Sequence, residues 1–376
     1  MGGVASGDAA TGQAAEAAAM AKSSYSRSSD ATPIGYGTAG FRTLADVLDN
    51  VLYRTGLLAA LRSKALGKRV GVMVTASHNP EKDNGVKLVE PLGEMLPPEW
   101  EAHATRLANS ADADLSALLV ELSESLGVDL SAPGDIVVGR DTRSSSARLA
   151  MALCDGAGVL RPTRVRSAGV VTTPQLHYLV RCENDPTYGL PSIPGYEEKL
   201  ICAFRKLLGS AERTPRVYTP VVNVDCACGV GAIALGAMLD RLGKVGLTTN
   251  MVNLVGEGTL NEGCGADFVK TKQKPPAKAD LSAGRWVSFD GDADRIVYFF
   301  SQDGFCLLDG DRIALLLASF LKSLLTRAGA EDIKLGLVQT AYANGASTAR
   351  AKTDVGEAQI ACAKTGVKVP VTRPSL

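Results

Sequence analysis

Residues 70–80 read VGVMVTASHNP, and this stretch decides the fold. A short run of small and β-branched apolar residues, Val70 to Val74, ends abruptly in a polar loop. That is the signature of a strand buried on both faces and feeding a loop at its carboxyl end. Serine is a weak nucleophile unless its surroundings activate it. Here Ser77 sits among small neighbours that leave its hydroxyl reachable, and Pro80 stiffens the turn. Seven residues beyond Pro80 stands Lys87, in NGVK (84–87). A lysine near a reacting hydroxyl neutralises phosphate charge or moves a proton.

Working outward, the same pattern recurs. Ile136 to Val138 is a second apolar run, followed by GRDTR (139–143) and a helix expected from Ser145 to Leu153. Gly169 to Val171 leads into TTP (172–174), with a helix to follow. Residues 184–195 are rich in Asn, Asp, Pro and Gly and read as a linker. A helix over 196–208, a strand over Val217 to Val224, a loop and helix over Gly229 to Leu242 and a strand over Met251 to Val255 come next. The stretch from Lys270 to Lys278 reads as an exposed loop. Asp309 to Leu325 reads as an amphipathic helix, and Leu335 to Val338 as a buried strand. Strands alternating with helices define an α/β fold of successive domains with mixed sheets. Residues 1–31 are Ala- and Ser-rich and read as a disordered extension.

The second chemical loop lies at 286–300, WVSFDGDADRIVYFF. Two apolar strands flank an acidic turn in which Asp290, Asp292 and Asp294 alternate. Three carboxylates at that spacing converge on one cation if the backbone curls, and Gly291 allows it to curl. All-oxygen ligands suit a hard divalent ion, and beside a phosphate-handling loop the expected ion is Mg²⁺. An EF-hand does not fit: its sixth and twelfth positions, Gly and Glu, are here Arg295 and Ser301. An aspartate-nucleophile phosphatase motif does not fit either, because the turn holds no Thr or Val where that motif wants one.

Composition removes other classes. The chain has 376 residues, with 40 Lys and Arg against 40 Asp and Glu. That balance gives no electrostatic basis for binding nucleic acid or an anionic membrane. No stretch is long and apolar enough to span a bilayer, and no secretory leader is expected. The eight cysteines form no CxxC pair, so a zinc site is not expected and a reducing, cytoplasmic setting is. Cys226 and Cys228 read as small residues packing a glycine-containing turn. His103 and His177 read as structural or surface residues.

Taken together, GTAGFR (37–42), TASHNP (75–80) and DGDADR (290–295) resemble, in order, the substrate-contact, reactive-serine and metal loops of the α-D-phosphohexomutase family. NGVKLVEPLGEML (84–96), TTPQLHY (172–178), LNEGCGADFVK (260–270) and VQTAYANGAST (338–348) are similar to the branch that acts on N-acetylglucosamine phosphates. The resemblance runs from about Ile34 to Lys368. It implies an isomerase in which Ser77 carries a phosphoryl group, and that group with Asp290, Asp292 and Asp294 holds one Mg²⁺. N-acetylglucosamine 6-phosphate would become the 1-phosphate through a bound 1,6-bisphosphate, on the way to UDP-N-acetylglucosamine. Lys87 and Arg42 match the proton-transfer and charge-stabilising positions. Arg295 would lie beside the phosphoserine and, with Arg42 and Lys87, bind substrate; His78 would shape the serine loop and is a candidate catalytic residue.

The resemblance also implies four domains. The expected division is 32–185 with the serine loop, 186–300 with the metal loop, and 301–376 as part of a third. A sugar-binding loop and a phosphate-binding fourth domain are not found in the sequence, and residues 369–376 do not resemble the family. A mutase whose remote phosphate contacts are missing is expected to bind substrate weakly. The alternative is a catalytically weak or inactive interaction protein derived from a mutase.

Overall fold

Five strands build a first sheet: β1 (Phe41–Leu44), β2 (Arg69–Val74), β3 (Asp83–Val89), β4 (Gly134–Arg140) and β5 (Thr163–Val170), in the order β1-β3-β2-β4-β5. The computed structural model describes residues 3–209, 220–330, 332–340, 345–355 and 360–363. β2, β4 and β5 run parallel, while β3 is antiparallel to both β1 and β2. The alternation of side chains along a strand sorts the core into two layers. Val70, Val72 and Val74 join the larger cluster, under helices Asp49–Leu66 and Ser146–Val159. Met73 points the other way, with Val137, Leu176 and Val180, under helix Thr173–Asn184. The two helices of the larger layer touch backbone to backbone. A Cβ on Gly156 would lie 1.9 Å from the Tyr53 carbonyl oxygen, and one on Gly56 2.1 Å from that of Leu153.

A second sheet follows, ordered β10-β9-β8-β6-β7: β6 (Val221–Asp225), β7 (Thr248–Val252), β8 (Trp286–Phe289), β9 (Ile296–Ser301) and β10 (Phe305–Leu308). β6 is parallel to β7 and β8, and β8, β9 and β10 are antiparallel. Trp286, Val297, Phe299 and Leu307 fill one face, and Val224 and Val287 the other. Beyond it, β11 (Leu337–Thr340) pairs in parallel with β12 (Ile360–Ala363). No described helix is long and apolar enough to cross a membrane.

The structure corrects several expectations. Residues Gly3–Ser24, expected to be disordered, form a helix. Ala14, Ala17 and Ala21 lie on one face at spacings of three and four and are 0 % exposed against the first unit's core. Strand β7 falls at Thr248–Val252, earlier than expected, because Asn253 turns into the left-handed region with φ 53°. The start of the expected 270–278 loop is the end of helix Ala266–Lys272. The second sheet passes the expected boundary at 300, since Phe305 to Leu308 pair with Tyr298 to Ser301. Val338, read as buried, is 55 % exposed. Residues 217–219 of the expected strand at 217–224, and the tail 369–376, lie outside the described residues.

Candidate active site between the two sheets

The serine loop leaves the carboxyl end of β2, and the acidic turn joins β8 to β9. The fold brings them into contact. Ser77 Oγ donates a hydrogen bond to Asp290 Oδ2 at 2.5 Å, across 213 positions of sequence. Gly291 lies directly against the serine backbone: a Cβ there would stand 2.6 Å from the Ser77 carbonyl oxygen. Ser77 itself is 0 % exposed and adopts φ 53°, a left-handed conformation that costs a non-glycine residue about 1–2 kcal/mol.

The three aspartates converge as expected, with one ligand atom from each lying within 4.8 Å of the others. Asp290 and Asp292 are buried, Asp294 less so. Burial, and then the charges of Asp292 and Asp294, push Asp290 up to about 7. Burial also works to raise Asp292, but the Lys87 ammonium and the Thr173 hydroxyl outweigh it and hold that carboxyl below the ordinary range. Asp292 Oδ1 is buried without a partner. A crowded, partly unpaired carboxylate trio of this kind fits a hard divalent cation.

Positive charge surrounds the trio. Arg42 on β1 is paired in register with Gly85 on β3, two positions from Lys87, so Arg42 and Lys87 leave one face of the sheet. Lys87 Nζ lies 3.1 Å from Asp294 Oδ2 and 3.5 Å from Asp292 Oδ2. Arg295 Nε lies 3.8 Å from Asp290 and 3.9 Å from Asp294. Burial lowers the Arg42 guanidinium from its usual value against the pull of Asp292, and its Nε has no partner. Arg42, Lys87, Asp294 and Arg295 line a cleft of about 910 Å³. His78 does not join them. It lines a separate cavity of about 710 Å³ with Asn261, Cys264 and Asp267. Burial keeps its imidazole below the usual value, with help from Arg295.

Some residues that organise this site carried no role in the sequence reading. Thr173, at the start of helix Thr173–Asn184, donates its amide to the Asp292 carbonyl at 3.1 Å and its hydroxyl to Asp292 Oδ2 at 2.6 Å. The helix begins with a capping box between Thr172 and Gln175, and its amino end faces the acidic turn, which favours negative charge there. Arg143 is buried, donates to the carbonyls of Ser77, Asn79, Pro80 and Asp83, and is held by Asp141. Asp225 accepts from Ala227 N, Asn253 Nδ2, Gly265 N and Ser288 Oγ, fixing the Cys226–Cys228 turn beside β8. Both cysteines are buried in that turn, as expected. His177 lines the cleft, with Nδ1 2.8 Å from the Gly93 carbonyl oxygen. A sign was present for two of these: the TTP and GRDTR stretches stood out, but nothing local shows what a side chain reaches across domains.

Known proteins match this chain domain by domain. Residues 45–115 match the family model described as phosphoglucomutase/phosphomannomutase, alpha/beta/alpha domain I. Residues 192–297 and 309–373 match domains II and III of phosphoacetylglucosamine mutase AMG1. The human protein called phosphoacetylglucosamine mutase is 51% identical over 337 residues, covering 89% of this chain and 61% of its own. The chain thus spans about three-fifths of the length of the curated relatives it matches. An Aspergillus fumigatus N-acetylphosphoglucosamine mutase, crystallised with GlcNAc-6P and magnesium, superposes with a TM-score of 0.83 at 44% identity, over 95% of this chain and 66% of that one. The apo crystal structure of an N-acetylglucosamine-phosphate mutase gives a TM-score of 0.83 at 39% identity, over 94% of this chain and 77% of that one. With three domain models matched in order and a crystallised relative covered over most of its length, the chain belongs to the phosphoacetylglucosamine mutase family of the α-D-phosphohexomutase superfamily.

Proposed function

We propose that this chain interconverts N-acetylglucosamine 6-phosphate and N-acetylglucosamine 1-phosphate, with Ser77 as the phosphoryl carrier and a sugar 1,6-bisphosphate as the intermediate. The observation that carries the reading is the contact between the Ser77 hydroxyl and the aspartate trio, with Lys87 at its edge. Asp290, Asp292 and Asp294, with phosphorylated Ser77, would hold one Mg²⁺ per chain. When bound, the ion neutralises charge on the moving phosphoryl group.

The chain's own residues do the rest. Lys87 and Arg42 leave one sheet face and meet the phosphoryl oxygens from the cleft side, while Arg295 meets them from the acidic turn. Lys87 Nζ is the group for moving the sugar-hydroxyl proton, since it shares its hydrogen bonds with two carboxylates that the ion would otherwise claim. His78 shapes the serine loop from the separate cavity that it lines. The substrate is a small hexosamine phosphate, and no nucleic acid or membrane partner is proposed. Scattered cysteines, unpaired among the described residues, support a reducing, cytoplasmic setting.

The test is a coupled assay for conversion of the 6-phosphate to the 1-phosphate, with Mg²⁺ and a trace of glucose 1,6-bisphosphate. The native chain is expected to turn over, and Ser77→Ala is expected to abolish turnover. Release of inorganic phosphate in place of isomerisation would mark a phosphatase. Absence of both activities from the native chain would overturn the reading.

A further inference from the structure

The strained backbone of Ser77 has an unusual set of partners. Its carbonyl oxygen accepts from Arg143 Nη2 at 3.0 Å and from Asn261 Nδ2 at 2.9 Å. The Asn79 carbonyl oxygen accepts from the same two nitrogens, at 2.9 Å and 3.0 Å. A carbonyl has two lone pairs, so both acceptors are saturated. One donor comes from each side. Arg143 follows β4 in the first unit and is anchored by Asp141, which also accepts from Thr75 and Ser146. Asn261 comes from the second unit, in the loop between β7 and helix Ala266–Lys272, and its amide donates to the Ala227 carbonyl at 3.0 Å. Asn261 also packs over the acidic turn, since a Cβ on Gly291 would lie 3.0 Å from its Nδ2.

We propose that Asn261 is a positioning residue for phosphoryl transfer at Ser77. With Arg143 it forms a two-sided clamp on the serine loop. Arg143 alone fixes the loop to its own sheet. Asn261 fixes the loop to the unit that carries the aspartates, so it sets the register between Ser77 Oγ and Asp290. Serine reactivity is thereby tied to docking of the two units. Asn261 itself adopts φ 60°, a conformation that asparagine tolerates better than most residues. The inference rests on the mutase reading. In the step concerned, Ser77 Oγ bonds to phosphorus as the phosphorus–oxygen bond to the sugar breaks, and the serine proton passes to the released sugar oxygen.

Two variants preserve the backbone conformation. Asn261→Gly tolerates the left-handed φ and removes the donors. Asn261→Asp keeps the shape and sets carboxylate oxygens against two carbonyls. The experiment follows single-turnover phosphorylation of Ser77 by glucose 1,6-bisphosphate with Mg²⁺, read by intact mass. Affinity for the same bisphosphate is measured by calorimetry on Ser77→Ala and on the Ser77→Ala, Asn261→Gly double variant. Phosphorylation is expected to slow by roughly ten- to a hundredfold, while affinity changes less than about twofold. A general structural defect would move both readouts together and would overturn the proposal. Phosphorylation at the native rate in either variant would also overturn it and leave the mutase reading standing. Failure of the native chain to label would overturn the mutase reading and this inference with it.

Discussion

The Ser77 hydroxyl points at Asp290 and is shut away from solvent. The serine can accept a phosphoryl group only by exchanging that carboxylate for phosphorus, so the apo geometry is a resting state of the pair. Without a cation, burial and then the charges of Asp292 and Asp294 push Asp290 up to about 7. Stability should report this directly. Adding Mg²⁺ to chelator-treated chain is expected to raise its melting temperature, by about 2.7 kcal/mol of stabilisation at a hundred times the dissociation constant. Asp290→Asn removes one like charge, so the apo protein is expected to be as stable as the native chain or more so, while the Mg²⁺-dependent gain is lost. A melting series with and without Mg²⁺ checks both halves. An undiminished Mg²⁺ shift in the variant would exclude Asp290 as a ligand.

Gly291 separates steric from conformational reasons for a glycine. It is not in the left-handed region, so alanine suits its backbone. The obstacle is the Ser77 carbonyl oxygen 2.6 Å from the added Cβ, with Asn261 Nδ2 at 3.0 Å and Leu260 Cδ1 at 3.3 Å. Neither loop gives way without breaking hydrogen bonds. Gly291→Ala is therefore expected to cost about 1–3 kcal/mol in urea unfolding. It is also expected to slow Ser77 phosphorylation, because it opens the same contact that Asn261 closes. Native phosphorylation in that variant would show that the two loops need not touch.

What the sequence discloses here, and what it conceals, follows from range. Val70 to Val74 is legible as a doubly buried strand because every residue that decides the matter is local. The Asp290–Asp294 turn is legible because two apolar flanks frame it. Arg143, Thr173 and Asn261 are not, because the loop carbonyls and the carboxylate that their side chains reach across the site lie at least 60, 119 and 182 residues away. The amino-terminal helix was misread for another reason. Its low-complexity, Ala- and Ser-rich composition signals disorder, yet alanine is both the strongest helix former and small enough to pack a helix tightly onto a neighbour. Only the spacing of Ala14, Ala17 and Ala21 marks the buried face.

That face makes a prediction of its own. Tyr53 Oη donates to the Ala17 carbonyl at 2.9 Å, and the Tyr25 and Tyr53 rings stack at 4.8 Å. Ala17 is 0 % exposed, so there is no room for a larger side chain. Ala17→Leu is expected to lower stability by about 1–3 kcal/mol through overpacking. Ala19→Leu, on the exposed side, is expected to leave it unchanged. Comparing the two urea midpoints checks the assignment. Equal midpoints would mean that the helix does not dock in solution.

Lys64 supplies a pH test away from the site. It is 6 % exposed, and its ammonium donates to the carbonyls of Leu130 at 3.0 Å, Ala132 at 2.5 Å and Pro162 at 3.1 Å. Burial nonetheless lowers it from 10.5 to about 8, with Asp129 opposing. Between those two values the unfolded chain binds the proton and the folded chain does not. Stability therefore rises with pH across that window. Below about 8 the buried charge acts against folding. Lys64→Met removes the titration but leaves three carbonyls without a donor. The variant is expected to be less stable than the native chain at pH 7, with a flatter profile from pH 8 to 10, so that the gap widens as pH rises. Urea midpoints at pH 7, 8, 9 and 10 on both proteins check this. Parallel profiles would show that Lys64 keeps its ordinary proton affinity in the folded chain.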